Sequence, residues 1–113
     1  MFLTHLSAAS NWFEVLHTSD RSQSAVMNLD PGKSSGDEPE SHSGSDQILV
    51  VLEGEVMGSV GEETARLKRG DVVIIPSGVP HRFENVGSEV ARTLSVYAPP
   101  VFPAGMRESV GAG

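Results

Sequence analysis

The chain has 113 residues, with 15 acids against 8 bases, a formal charge of −7 and no cysteine. That length predicts one domain with a single modest core. The acidic balance argues against nonspecific nucleic-acid binding, and the absence of thiols excludes disulfide frameworks, thiolate catalysis, thiolate zinc fingers and iron–sulfur sites.

Glycine and proline cut the chain into short pieces, and only the first ten residues suggest a helical period. Trp12 to His17 reads as a first strand and Gln23 to Leu29 as a second, stopped by the turn residues Asp30, Pro31 and Gly32. Residues 33–46 are polar and irregular, a loop too long to be idle inside a compact domain. Gln47 to Glu53 is a dense aliphatic strand. Gly54-Glu55, Gly61-Glu62 and Gly70-Asp71 then punctuate strands at Val56 to Val60, Thr64 to Arg69 and Val72 to Ile75. Pro76 to Pro80 is a rigid connection into His81 to Val86, and Ala91 to Tyr97 is the last strand before Pro99, Pro100 and Pro103. The final Gly-Ala-Gly is expected to fray. The longest apolar run, Ile48 to Leu52, spans 5 residues, far below the roughly 18 of a membrane-spanning helix. No basic start with a long apolar stretch marks a secretory signal. A cytoplasmic protein without a membrane partner is expected.

About eight strands at short spacing predict an all-β sandwich or barrel. N-terminal strands at about 10–30, a core barrel at about 31–100 and a tail at 101–113 form a single domain. Val50, Val51, Val73 and Ile74 sit in continuous apolar runs. A chain this short cannot cover both faces of such strands itself, so a homodimer is expected.

The chemistry starts at His81. The segment from Gly70 to Asn85 carries Gly70, Pro76, Gly78, His81 and Asn85 in the spacing G-x5-P-x-G-x2-H-x3-N. This resembles the second sequence motif of the cupins at all five fixed positions. Upstream, Glu40-Ser41-His42, then Gln47, then Gly54 is similar to a variant of the cupin first motif, with Glu40 where the family usually has His and Gln47 where it usually has Glu. Asp46-Gln47 and Tyr97-Ala98-Pro99-Pro100 are similar to features of a subgroup of small single-domain cupins. The resemblance covers about Gly32 to Pro100 and implies a double-stranded, jelly-roll β barrel. It implies one divalent metal ion on Glu40, His42, Gln47 and His81.

The residues themselves agree with that substitution. Glu40 and His42 stand two apart, so in an extended segment both face one way. Two imidazoles, one carboxylate and one amide oxygen carry a ligand charge of −1 and suit Mn, Fe, Co, Ni or Zn. Two histidines with one carboxylate are also similar to the facial triad of non-haem iron, Gln47 then being an optional fourth ligand. Each position has a plainer reading: a turn histidine at His81, solvated loop residues at His42 and Glu40, a simple hydrogen-bonding amide at Gln47. His17 is expected at the surface or satisfied in the core, His5 without a role, and Asn85 and Asp30 as turn residues. Strand alternation places Phe83 beside His81, and Leu49 and Val51 beside Gln47, where those two either line a pocket or simply fill the barrel; Met27 and Tyr97 lie on strands next to the same pocket, with their facing not fixed by the pattern. No nucleophile set, phosphate loop or acid pair is assigned by spacing, so catalytic residues stay unknown. Three functions remain open: a metal-dependent enzyme (isomerase, lyase or dioxygenase) acting on a small organic molecule, a non-catalytic sensor or binding barrel, and a barrel with a vestigial site.

Overall fold

The computed structural model describes residues 1–108. The nine strands are β1 (Phe13–Thr18), β2 (Gln23–Leu29), β3 (Asp46–Glu53), β4 (Glu55–Val60), β5 (Glu63–Lys68), β6 (Val72–Ile75), β7 (His81–Asn85), β8 (Ala91–Ala98) and β9 (Arg107–Glu108). Eight coincide with the expected strands to within a residue or two at each end. The possible helix of the first ten residues is a single 3₁₀ turn, Leu6–Ala8, and His5 has a local role there, its Nδ1 accepting from the Ser7 backbone N–H.

The strands form two antiparallel sheets, one in the order β6-β3-β8-β2-β1-β9 and one in the order β5-β4-β7. β3 is flanked by β6 and β8, with Gln47 opposite both Ile75 and Tyr97. That register puts Gln47, Leu49 and Val51 on one face together with Tyr97, Ser95 and Thr93 of β8. Leu29, Leu49, Val51 and Ile75 of the large sheet and Val56 and Phe83 of the small one join a single buried cluster between the sheets. The all-β jelly-roll expectation holds.

Gly54 closes the β3–β4 corner with φ 75°. A Cβ there would meet the Val90 carbonyl oxygen at 2.7 Å and the Ala91 Cα at 2.8 Å, so backbone sterics demand glycine. Asn85 is more than a turn residue. It is buried, its Nδ2 donates to the Leu29 and Glu89 carbonyls, and its Oδ1 accepts from the Gly87 N–H. It thereby ties the end of β7 to the end of β2.

The chain after β8 differs from the expected tail. Arg107–Glu108 pairs with β1, Glu108 opposite Phe13 and Arg107 opposite Glu14. Gln23 fastens the approach, its Nε2 donating to the Phe102 carbonyl and its Oε1 accepting from the Val101 and Phe102 N–H groups. Three prolines do end β8, but the chain then returns across the sheet. The expected fraying of the last Gly-Ala-Gly lies outside the described residues. No helix among the described residues is long and apolar enough to cross a membrane.

Candidate functional site

The polar loop between β2 and β3 supplies the first two site residues, and β7 holds it in place. Glu40 and His81 exchange both backbone hydrogen bonds, Glu40 N to His81 O at 2.9 Å and His81 N to Glu40 O at 2.7 Å. Residues paired in this way project their side chains to the same side. The Gly78 N–H donates to the His42 carbonyl at 3.0 Å, so the Pro76–Pro80 connection fixes the other half of the loop. Gln47 enters from β3. A cavity of about 230 Å³ receives Glu40, His42, Gln47 and His81 in its wall.

The two imidazoles lie with ring centroids 5.1 Å apart. His81 is buried, and its Nδ1 sits 3.1 Å from the Val79 carbonyl. A carbonyl only accepts, so Nδ1 carries a proton, and in the neutral ring the lone pair is on Nε2. His42 has its pKa lowered, first by burial and then by the nearby His81, which favours the neutral, donor form. Gln47 Nε2 donates to Ser95 Oγ at 3.0 Å, while Gln47 Oε1 is buried without a hydrogen-bond partner. Glu40 is exposed, its carboxylate lying against Gly36. Among the described residues, no three His, Asp or Glu side chains gather closely enough to form a metal-binding group by themselves. Glu40, His42 and His81 do not form such a group either, because the Glu40 carboxylate is exposed and lies toward Gly36.

The rest of the wall is apolar and aromatic. Met27, Phe83 and Tyr97 line the cavity. Burial is the main cause pushing the Tyr97 hydroxyl above its ordinary range; the Ser95 hydroxyl lowers it and the Glu40 charge raises it further. Leu49 and Val51 do not line the cavity. They share the inward face with Gln47 but lie further along β3, where the core fills the space around them. His17 is exposed, 6.4 Å from the ring of Phe2, and His5 is at the surface.

These features coincide with a sequence match. The family model described as Cupin domain matches residues 25–97. The chain belongs to the cupin family. This cupin is 38% identical over 72 residues to an uncharacterised protein of Streptomyces coelicolor, a stretch covering 64% of this chain and 65% of the relative. It is 32% identical, again over 64% of its length, to the HTH-type transcriptional regulator PuuR of Escherichia coli, of which the match spans only 38%. Among solved structures it is similar to BH2720 of Bacillus halodurans, with a TM-score of 0.83 and 28% identity, covering 88% of this chain and 78% of that one.

Sequence reasoning missed several wall residues of this cupin: Trp12, Phe13, Ser95, Phe102, Met106 and Glu108. Phe102 packs edge-on against His42, Tyr97 and Phe13, at centroid distances of 5.7, 5.3 and 4.8 Å. Ser95 was within reach of the alternation rule, two residues from Tyr97 on one strand. Phe102, Met106 and Glu108, on either side of Pro103, carry no periodic signal at all.

Proposed function

We propose that this cupin holds one divalent metal ion on Glu40, His42, Gln47 and His81 and binds or transforms a small organic molecule in the adjoining cavity. The observation that carries the reading is the buried, unpartnered amide oxygen of Gln47. An orphaned buried acceptor costs about 1–3 kcal/mol, and the Ser95 hydroxyl already fixes the amide so that its oxygen is left over. The donor set fits the same ion. Two imidazole nitrogens, a carboxylate and an amide oxygen, without thiolate, suit Mn, Fe, Co, Ni or Zn.

Such an ion supplies Lewis acidity, or an oxygen-binding centre where it is iron. The chain's own residues do the positioning. The Val79 carbonyl sets the His81 tautomer, Ser95 orients Gln47, and Glu40 contributes negative charge at the rim. The aromatic walls exclude water from the small molecule. A second reading, a ligand-sensing barrel without chemistry, is favoured by the similarity to a transcriptional regulator. Turnover of no substrate by metal-loaded protein that binds ligand tightly would favour it.

We also propose a homodimer. Ile48, Val72 and Ile74 are exposed on the outer face of β3 and β6, and β6 is the free edge of the large sheet.

The test of the metal reading is calorimetric titration of chelator-stripped protein with each of the five ions. One ion per chain is expected, with at least tenfold weaker binding in His81→Ala. Wild-type protein that takes up none of the five would end the proposal.

A further inference from the structure

The charges around the cavity narrow what it accepts, on the reading that the cavity is a ligand site. Its apolar wall is aromatic and thioether-rich, with Trp12, Phe13, Phe83, Tyr97, Phe102 and Met27. Its acids are Glu40 and Glu108, and among the described residues no lysine or arginine lines it. Organic carboxylates are ordinarily met by a guanidinium fork, an ammonium or a nest of N–H donors. This wall offers carboxylates, hydroxyls and imidazoles instead. A divalent ion on the four donors, with Glu40 its one charged ligand, would leave a centre of +1, so the negative wall discriminates in the ion-free protein.

Glu108 is a built feature of the wall. Its backbone pairs with Phe13 in β1, and the Trp12 Nε1–H donates to its Oε2 at 3.1 Å. The indole therefore occupies one carboxylate oxygen and leaves the other to accept. The same indole offers a π face, which attracts cations. Size sets a second limit. A dry, apolar cavity of about 150 Å³ accepts benzene, so one of about 230 Å³ has room for a single substituted ring.

We propose that the cavity takes a single-ring apolar molecule, neutral or cationic, whose ammonium or other N–H group is received by Glu108, and that it rejects carboxylates. The ligand class is then an aromatic or cyclic amine or its neutral analogue.

The test uses three probes of one shape and different charge: benzylamine, benzyl alcohol and benzoate. Each is titrated into the full chain with chelator present. Trp12, the sole tryptophan, reports by fluorescence, and the ring signals of Phe83 and Tyr97 report by NMR. Benzylamine is expected to bind most tightly, benzyl alcohol next, and benzoate at least tenfold more weakly than benzylamine. Glu108→Gln should cost benzylamine about tenfold, as expected for loss of a charge-assisted hydrogen bond, and leave benzyl alcohol within about twofold. Glu108→Asp, which keeps the charge, should retain the order of the three probes. Benzoate binding as tightly as benzylamine, with the cavity signals moving, would overturn the proposal while leaving the cavity a ligand site. An unchanged benzylamine preference in Glu108→Gln would overturn the role of Glu108. If no probe moves Trp12, Phe83 or Tyr97, both the proposal and the ligand-site reading fall, whatever the metal titration has shown.

Discussion

Replacing Gln47 by Met separates a metal ligand from an ordinary buried amide. Methionine keeps the length and most of the volume, and it removes both polar atoms. In metal-free protein two effects oppose each other. The hydrogen bond from Nε2 to Ser95 is lost, which costs about 0.5–1.5 kcal/mol. The unpartnered Oε1 is also lost, which relieves about 1–3 kcal/mol. The chelated variant should therefore lie between about 0.5 kcal/mol less stable and about 2.5 kcal/mol more stable than wild type. For a domain of this size, 1 kcal/mol moves Tm by about 3–6 °C. Adding the ion reverses the comparison. At a hundredfold excess over Kd the wild type gains about 2.7 kcal/mol, and Gln47→Met should gain clearly less. Thermal unfolding with chelator and with saturating ion, followed by circular dichroism, gives both differences. A chelated variant destabilised by more than about 3 kcal/mol, in the range of a damaged core, would mean that the amide oxygen has a protein partner after all. An equal gain from the ion in both proteins would remove Gln47 from the ligand set.

Three other expectations bear on the same site and on assembly. Glu40→Gln removes the negative donor and should weaken ion binding at least tenfold, since charged donors to a cation outweigh neutral ones, whereas Gln47→Glu should tighten it; calorimetry showing Glu40→Gln within twofold of wild type would make Glu40 a solvated loop acid. His42 is held neutral by burial and by His81, so in chelated protein its stabilising contribution is full above the ordinary pKa of about 6.5 and is lost as pH falls from there through the depressed folded value. An imidazole NMR titration placing His42 at or above the ordinary value would contradict this. Light scattering should give twice the 12.0 kDa chain mass, and Ile74→Lys on the outer face of β6 should shift it toward one chain; a wild-type monomer at micromolar concentration would refute the dimer.

The legible parts of this fold are those that depend on local rules. Positive-φ glycines at Gly54, Gly61 and Gly70 mark the corners, and alternation gives the facing of β3, β7 and β8. The position of Glu40 beside His81 rests on a two-residue bridge inside a polar loop, and spacing alone predicts the shared side without predicting the pairing. Leu49 and Val51 show the limit of alternation. It fixes which face a residue uses and is silent on depth, and depth decides between cavity wall and core. The last wall elements were illegible for another reason. Phe102, Met106 and Glu108 reach the cavity because Gln23 grips the chain and β9 joins β1. Both contacts span more than 70 residues of sequence, as Gln23 to Phe102 shows with a separation of 79, and a two-residue strand has no period to read.

The most direct measurement of the central claim is anomalous diffraction from crystals of the protein purified without chelator and soaked in turn with Mn, Fe, Co, Ni and Zn. One strong peak is predicted in the cavity, about 2.0–2.2 Å from His42 and His81 ring nitrogens, with Gln47 Oε1 and the Glu40 carboxylate completing its protein ligands. No peak with any of the five ions, or a peak bound away from both histidines, would contradict the assignment of this cavity as a metal site.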